Sequence, residues 1–388
     1  METSPGSLYS EVVEAVERGR GRGRGRGSAS IMVLEFDETF VLDIDHRPNP
    51  IVSESGSIPL VDLSPLLAGA GGDQRGSPAP SSLVEQVEGA CRDWGFFQVV
   101  NHGVPSGPLE RVRSAAEEFF ALAAEEKRRV RRDEENPLGY NDKEYTKNVR
   151  DWKEMFDFTA NERILIPASA EPGEKRLVEI KNRWPEYPPE LREACKEYTK
   201  AVEGLAHKLL ELISLTLNLP AKRLNGYFEE STSIIRLLHY PPCPSPHLAM
   251  GVGRHKDSGG LTVLTQDEVG GLEVKRKSDG EWVRIKPIPN SYIVNVGAII
   301  QVWSNDKYES VEHRVAVNSE KERFSVPFFL NPAHDTMVRP LEELVSEEAP
   351  AKYHEYNWGM FFKARKTSNF KNLGVENLQI SHFRKEGC

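Results

Sequence analysis

Apolar side chains recur three or four residues apart through much of the first half of the chain, and every second residue through much of the second. Val84, Val87, Ala90, Cys91 and Trp94 define one face of a helix that Gly95 ends. A second helical stretch, from about Ser106 to Lys127, turns Leu109, Val112, Ala116, Phe119, Phe120 and Leu122 inward. A third, from about Pro189 to Leu217, carries an apolar stripe that includes Tyr198, Val202, Leu205, Leu209 and Ile213. Short strands are predicted after Ile58 and over Phe96–Val100. Residues 137–170 show neither period and read as irregular. Beyond residue 231 the period falls to two, over eight candidate strands: Ser233–Tyr240, Leu261–Gln266, Leu272–Lys275, Trp282–Ile285, Tyr292–Val296, Ile299–Trp303, Val311–Val317 and Arg323–Leu330. Asp279-Gly280 marks a hairpin turn. Eight short strands after a helical half predict an α+β chain, a double-stranded β-helix (jelly roll) with the helices packed on it.

That pattern divides the chain into four parts. Residues 1–54 are an Arg/Gly-rich extension and linker expected to be disordered, with Arg18, Arg20, Arg22, Arg24 and Arg26 in its Arg-Gly tract. Residues 55–230 are mainly helical, 231–335 form the jelly-roll core, and 336–388 hold a C-terminal helix, starting near Pro350, and a tail. The basic run Lys127–Arg132 reads as a solvated helix end. A net charge of -9 argues against nucleic acid as partner of the folded part. Tyr292–Trp303, the best apolar run, is too short to cross a membrane and contains Asn295 and Gln301. Cys91, Cys195, Cys243 and Cys388 are scattered without Cys-x-x-Cys spacing, which fits reduced thiols in a cytoplasmic protein. A monomer is the default expectation.

Candidate chemistry concentrates in the strand region. His255 and Asp257 lie two apart, so in extended backbone they share a face while Lys256 points away. One imidazole and one carboxylate make two-thirds of the 2-His-1-carboxylate set that suits iron(II) with open positions. His313 follows Asp257 after 55 intervening residues, within the strand-like VEHRVAV, and a jelly roll can bring it across to complete the set. His102, between Asn101 and Gly103, reads instead as a turn residue bonded to backbone. Arg323 and Ser325 also share a face. A guanidinium on an inner face needs an anion, and this pair suits a terminal carboxylate, with Tyr240 as a third hydrogen-bond donor.

Together with WGFFQVVNHGVP at 94–105, YPPCP at 240–244, GGLEV at 270–274, NVGAIIQVWSND at 295–306, EHRV at 312–315 and RFSVPFF at 323–329, these residues make the chain resemble the plant-type iron(II)- and 2-oxoglutarate-dependent dioxygenases, with their isopenicillin N synthase-like fold. The resemblance covers roughly residues 55–370. It implies His255, Asp257 and His313 as iron ligands and Arg323, Ser325 and Tyr240 as the site for the distal carboxylate of 2-oxoglutarate. Two positions depart from the family pattern: Leu238 stands where Asn is frequent, and Ala298 where Asp is frequent.

The expected function is hydroxylation or desaturation of a small, largely apolar plant metabolite, using O2 and 2-oxoglutarate, releasing succinate and CO2, with ascorbate as reductant. The alternatives are an ascorbate-dependent oxidase of the same fold and a non-catalytic metal- or ligand-binding sensor. Tyr140, Phe156, Phe328 and Trp358 are the candidate substrate-pocket residues. The resemblance implies a substrate among hormones, flavonoids, alkaloids or indole amines.

Overall fold

Residues 36–48, 52, 58–68, 79–171, 173–368 and 377–387 are described by the computed structural model of the chain. The Arg-Gly tract, most of the Gly-rich loop at 69–80, and Cys388 lie outside them.

The N-terminal half contributes β1 (Leu60–Asp62), β2 (Phe96–Val100), β3 (Gly139–Asn141), the hairpin β4 (Tyr145–Thr146) and β5 (Val149–Arg150), β6 (Glu154–Thr159), and the hairpin β7 (Arg163–Pro167) and β8 (Leu177–Lys181). The second half supplies β9 (Ile234–Tyr240), β10 (Val252–His255), β11 (Leu261–Gln266), β12 (Leu272–Lys275), β13 (Trp282–Arg284), β14 (Tyr292–Val296), β15 (His313–Val315) and β16 (Arg323–Leu330). Eight strands form the large sheet in the order β1-β2-β14-β11-β16-β9-β6-β3, and the small sheet runs β10-β15-β12-β13. Their facing sides hold an apolar layer that includes Phe96, Met155, Leu238, Leu264, Leu272 and Val274. The outer side of the large sheet packs under the helix Leu191–Thr216, whose Tyr198 hydroxyl donates to the Val326 carbonyl of β16 at 3.5 Å.

Several expectations need correction. Residues 137–170 are ordered as strands, and β3 and β6 extend the large sheet. Both faces of β6 are buried, so no polar alternation marks it. Ala298–Trp303 is a helix, not a strand: every one of its residues is buried, which removes the amphipathic signature. It is anchored by the Ala298 amide donating to the Asp257 carbonyl at 2.8 Å. Gly297 is required before it, because a Cβ there would lie 2.1 Å from the Gly259 carbonyl oxygen.

The second helix is broken into Ser106–Phe120 and Ala124–Arg128. Lys127 and Arg132 are buried, not solvated, because each meets a carboxylate: Lys127 lies 2.7 Å from Glu154 and Arg132 3.5 Å from Glu144. Within the extension expected to be disordered, residues 36–48 are ordered. Phe36 and Phe40 pack on Trp152 at 5.4 and 4.7 Å between ring centroids, and the Leu42 amide donates to Leu248. The C-terminal helix starts at Trp358, not near Pro350.

Candidate active site

His255 ends β10 and His313 begins β15, and the antiparallel register sets the two directly opposite each other. Their ring centroids are 4.2 Å apart. Each Nδ1 faces a backbone carbonyl, Gly253 at 2.9 Å for His255 and Val311 at 3.1 Å for His313. A carbonyl only accepts, so Nδ1 carries the proton and Nε2 presents its lone pair. Burial, then the neighbouring His255, push the His313 imidazole down to about 4 and keep it neutral.

Asp257 turns one oxygen to the imidazoles: Oδ1 lies 3.5 Å from His255 Nε2 and 3.6 Å from His313 Nε2. The other, Oδ2, accepts from Thr262 Oγ1 at 2.6 Å and Asn295 Nδ2 at 2.8 Å. Burial pushes the Asp257 carboxyl up, but His313, His255 and Asn295 outweigh it and hold the group well below the usual carboxylate range. One donor atom from each of the three residues lies within 4.8 Å of the others, close enough for a single ion. Two imidazoles and one carboxylate, each oriented by a hydrogen bond behind it, are a donor set that fits iron(II).

Deeper in the sandwich, Arg323 stands opposite Tyr240 and Ser325 opposite Leu238 on β9. The Arg323 guanidinium donates to Ser325 Oγ at 3.0 Å and to Gln266 Oε1 at 2.9 Å, and lies 4.8 Å from the Tyr240 ring centroid. Among the described residues no carboxylate is ion-paired with it. Arg323 Nε and Gln266 Nε2 are buried donors without a partner. A buried guanidinium and two unanswered N–H groups form a cradle that fits a carboxylate. The Leu238 departure gives this cradle an apolar neighbour. The Ala298 departure leaves a backbone amide still bonded to Asp257.

Gln266, Thr262 and Asn295 were missed in the sequence. The signal was present for two of them, since Thr262, Leu264 and Gln266 alternate onto one face of β11. Conversely, the four aromatic residues expected to wall a substrate pocket lie elsewhere. Phe328 has the opposite parity to Arg323 and Ser325 on β16. Phe156 pairs with Leu237 on the outer face of the sheet, and Tyr140 pairs with Phe156. Trp358 donates its indole N–H to Thr232 at 2.8 Å within the same outer core. His102 is the expected turn residue, 3.1 Å from the Asn290 carbonyl and accepting from Val104.

A cavity of about 680 Å³ opens beside His255. Its lining is rich in charged and polar groups, Lys256, Arg254, Glu312 and Thr146 among them, where an apolar wall was expected.

The fold and these two clusters match a known class. Residues 231–332 match the family described as the 2OG-Fe(II) oxygenase superfamily, and residues 58–187 match the N-terminal region of non-haem dioxygenases of morphine synthesis. The chain is 39% identical to jasmonate-induced oxygenase 4 of Arabidopsis thaliana over 323 residues, 81% of this chain and 84% of that one. It is 32% identical to oxoglutarate-dependent flavonoid 7-O-demethylase 1 of Ocimum basilicum, covering 84% of each. Among solved structures, JOX2 in complex with 2OG, Fe and JA superposes with a TM-score of 0.72 at 29% identity, covering 95% of both chains. The rice dioxygenase for auxin oxidation gives 0.64 at 27%, covering 85% of this chain and all of that one. The chain therefore belongs to the 2OG-Fe(II) oxygenase superfamily. It is an oxidoreductase that depends on iron(II) and 2-oxoglutarate and acts on a small molecule.

Proposed function

We propose that His255, Asp257 and His313 hold the iron, and that Arg323 and Ser325, with Gln266 and Tyr240 beside them, hold the distal carboxylate of 2-oxoglutarate. The reaction is hydroxylation or desaturation of a small plant metabolite, with O2 as oxidant and ascorbate keeping the metal reduced. A flavonoid demethylase, an auxin-oxidising dioxygenase and an oxygenase crystallised with JA among its relatives support a small organic substrate.

The observation that carries this assignment is Arg323, 2% exposed and without an ion-paired carboxylate among the described residues. A buried, unanswered cation costs several kcal/mol unless a ligand supplies the charge.

When bound, iron(II) and 2-oxoglutarate supply oxidative decarboxylation coupled to oxidation of the substrate. The protein's part is preorganisation. The Gly253 and Val311 carbonyls fix both imidazole tautomers, and Thr262 and Asn295 fix the carboxylate. Arg323 and Ser325 set the depth and direction of the 2-oxo acid, while the Tyr240 ring shields the guanidinium from water. Residues 231–335 form the unit that carries the chemistry, residues 55–230 buttress it, and residues 336–388 close one end.

The protein is a cytoplasmic monomer in this proposal. The buried free thiols of Cys91, Cys195 and Cys243 support a reducing compartment. No described helix is long and apolar enough to cross a membrane.

Succinate release from 2-oxoglutarate without added substrate, measured after loading with iron(II), tests the reaction class and separates it from an oxidase that needs no 2-oxo acid. Arg323→Leu is expected to raise the KM for 2-oxoglutarate at least tenfold, the scale of a lost buried charge pair, with iron content unchanged. An unchanged KM would remove Arg323 from this role. His255→Ala and Asp257→Ala are expected to lose both iron and succinate formation.

A further inference from the structure

The cavity beside His255 has an electrostatic character that the general reaction does not require. Among the described residues, its lining includes two carboxylates, Glu144 and Glu312, and both are fully committed. Glu144 meets Arg132 at 3.5 Å, Lys153 at 2.7 Å and Arg236 at 3.0 Å. Glu312 meets Lys147 at 3.4 Å, Arg254 at 3.7 Å and Lys275 at 3.2 Å.

Most other cations of the lining find carboxylates behind the wall, and Arg365 donates to the Leu378 carbonyl at 3.2 Å. Asp157 takes Arg236, Asp151 takes Lys153, and Asp306 takes Arg384. Lys256 has no carboxylate within ion-pair distance among the described residues. It stands between His255 and Asp257 in sequence, and instead of pointing away as strand alternation predicts, it lies just past the end of β10 and its side chain lines the same cavity as the His255 imidazole. The chain as a whole carries -9, so this mouth is a local reversal of sign. A recess lined by one sign of charge concentrates ligands of the other.

We infer that the substrate is a small organic acid, and that Lys256 receives its carboxylate at the cavity mouth, leaving the rest of the molecule to extend past His255. Lys256 is thus a specificity-determining residue. Ser381 also lines the cavity and adds a hydroxyl to it. This inference rests on the oxygenase site proposed above.

The test uses the full-length protein, loaded anaerobically with iron(II) and 2-oxoglutarate, immobilised and exposed to a plant-tissue extract. Retained small molecules other than 2-oxoglutarate and succinate are read by mass spectrometry. A second portion of extract is first methylated with diazomethane, which converts carboxylic acids to neutral esters. Free carboxylic acids are expected on the wild-type protein, with retention falling about tenfold after methylation and about tenfold in Lys256→Glu, the scale of losing an interfacial charge pair. Lys256→Arg is expected to keep most of the retention. Iron content measured on every variant confirms that the neighbouring ligands remain in place.

The inference is overturned if the wild type retains only neutral or cationic molecules, if it retains no acid, or if Lys256→Glu holds the same acids equally well. Succinate release in air without extract is measured in parallel on the wild type. Its absence would sink the oxygenase assignment while the charge class of the retained molecules still decides the anion site.

Discussion

Asp257 divides its work between its two oxygens. Oδ1 faces the imidazoles, and Oδ2 is held by Thr262 and Asn295, which are cross-strand partners on β11 and β14. A carboxylate held from behind presents its free oxygen in one orientation, and losing such support weakens metal binding about ten- to a hundredfold. Asn295→Ala is therefore expected to lower iron(II) affinity by about that factor, read by competition with a chromogenic chelator, while far-UV circular dichroism stays unchanged. Equal affinity would show that Thr262 alone orients the carboxylate.

The same residues show where local pattern ends. His255 with Asp257, and Arg323 with Ser325, were legible because two side chains two apart in a strand share a face whatever the rest of the fold does. Thr262 and Asn295 meet only through strand register, which depends on pairing between segments more than thirty residues apart. Gln266 had the right parity, but a glutamine at a strand end resembles any solvated terminus until register sets Ser325 opposite it and brings Arg323 within hydrogen-bond distance.

At the scale of elements, the clearest misreading was β6. Its sequence EMFDFT has an acid among aromatic residues, and an acid is a poor marker of a buried strand. Asp157 is fully buried because β9 places Arg236 directly opposite, 2.7 Å away, and Lys366 of the C-terminal helix reaches it at 3.0 Å. Burial pushes the Asp157 carboxyl up, but Arg236 and Lys366 more than offset this and bring it down to about 2 from the ordinary 3.8. A depressed carboxyl contributes stability that is complete above the unfolded value and is lost as pH falls through the folded one. The shift corresponds to roughly 2 kcal/mol. Wild type is thus expected to exceed Asp157→Asn in urea stability by at least that much at pH 7, with the gap narrowing between about pH 4 and pH 2. A gap that stays constant over that window would mean the pair contributes packing alone. The helix Ala298–Trp303 was misread for a related reason: burial on all sides erases the period that distinguishes helix from strand.

Across the whole molecule, the large sheet separates two tasks. Its inner face carries Arg323, Ser325, Thr262 and Asn295. Its outer face carries Phe328 and Val263 under the helix Leu191–Thr216, and Phe156 against Phe119. Sequence composition draws no such line, since an aromatic residue near a site motif serves equally well as a pocket wall or as core. Parity draws it: Phe328 is three residues from Ser325 and so faces the other way. Phe328→Ala is therefore expected to cost about 3–5 kcal/mol of folding stability, the usual range for emptying a buried phenylalanine site. Succinate formation per folded molecule and the KM for 2-oxoglutarate should stay within about twofold of wild type, because a partly relaxed cavity behind the sheet leaves the inner hydrogen bonds in place. Denaturant unfolding read beside steady-state kinetics at low temperature separates the two quantities. Lost turnover in a variant whose stability is unchanged would return Phe328 to the substrate pocket, and with it the premise that this sheet keeps its chemistry on one side.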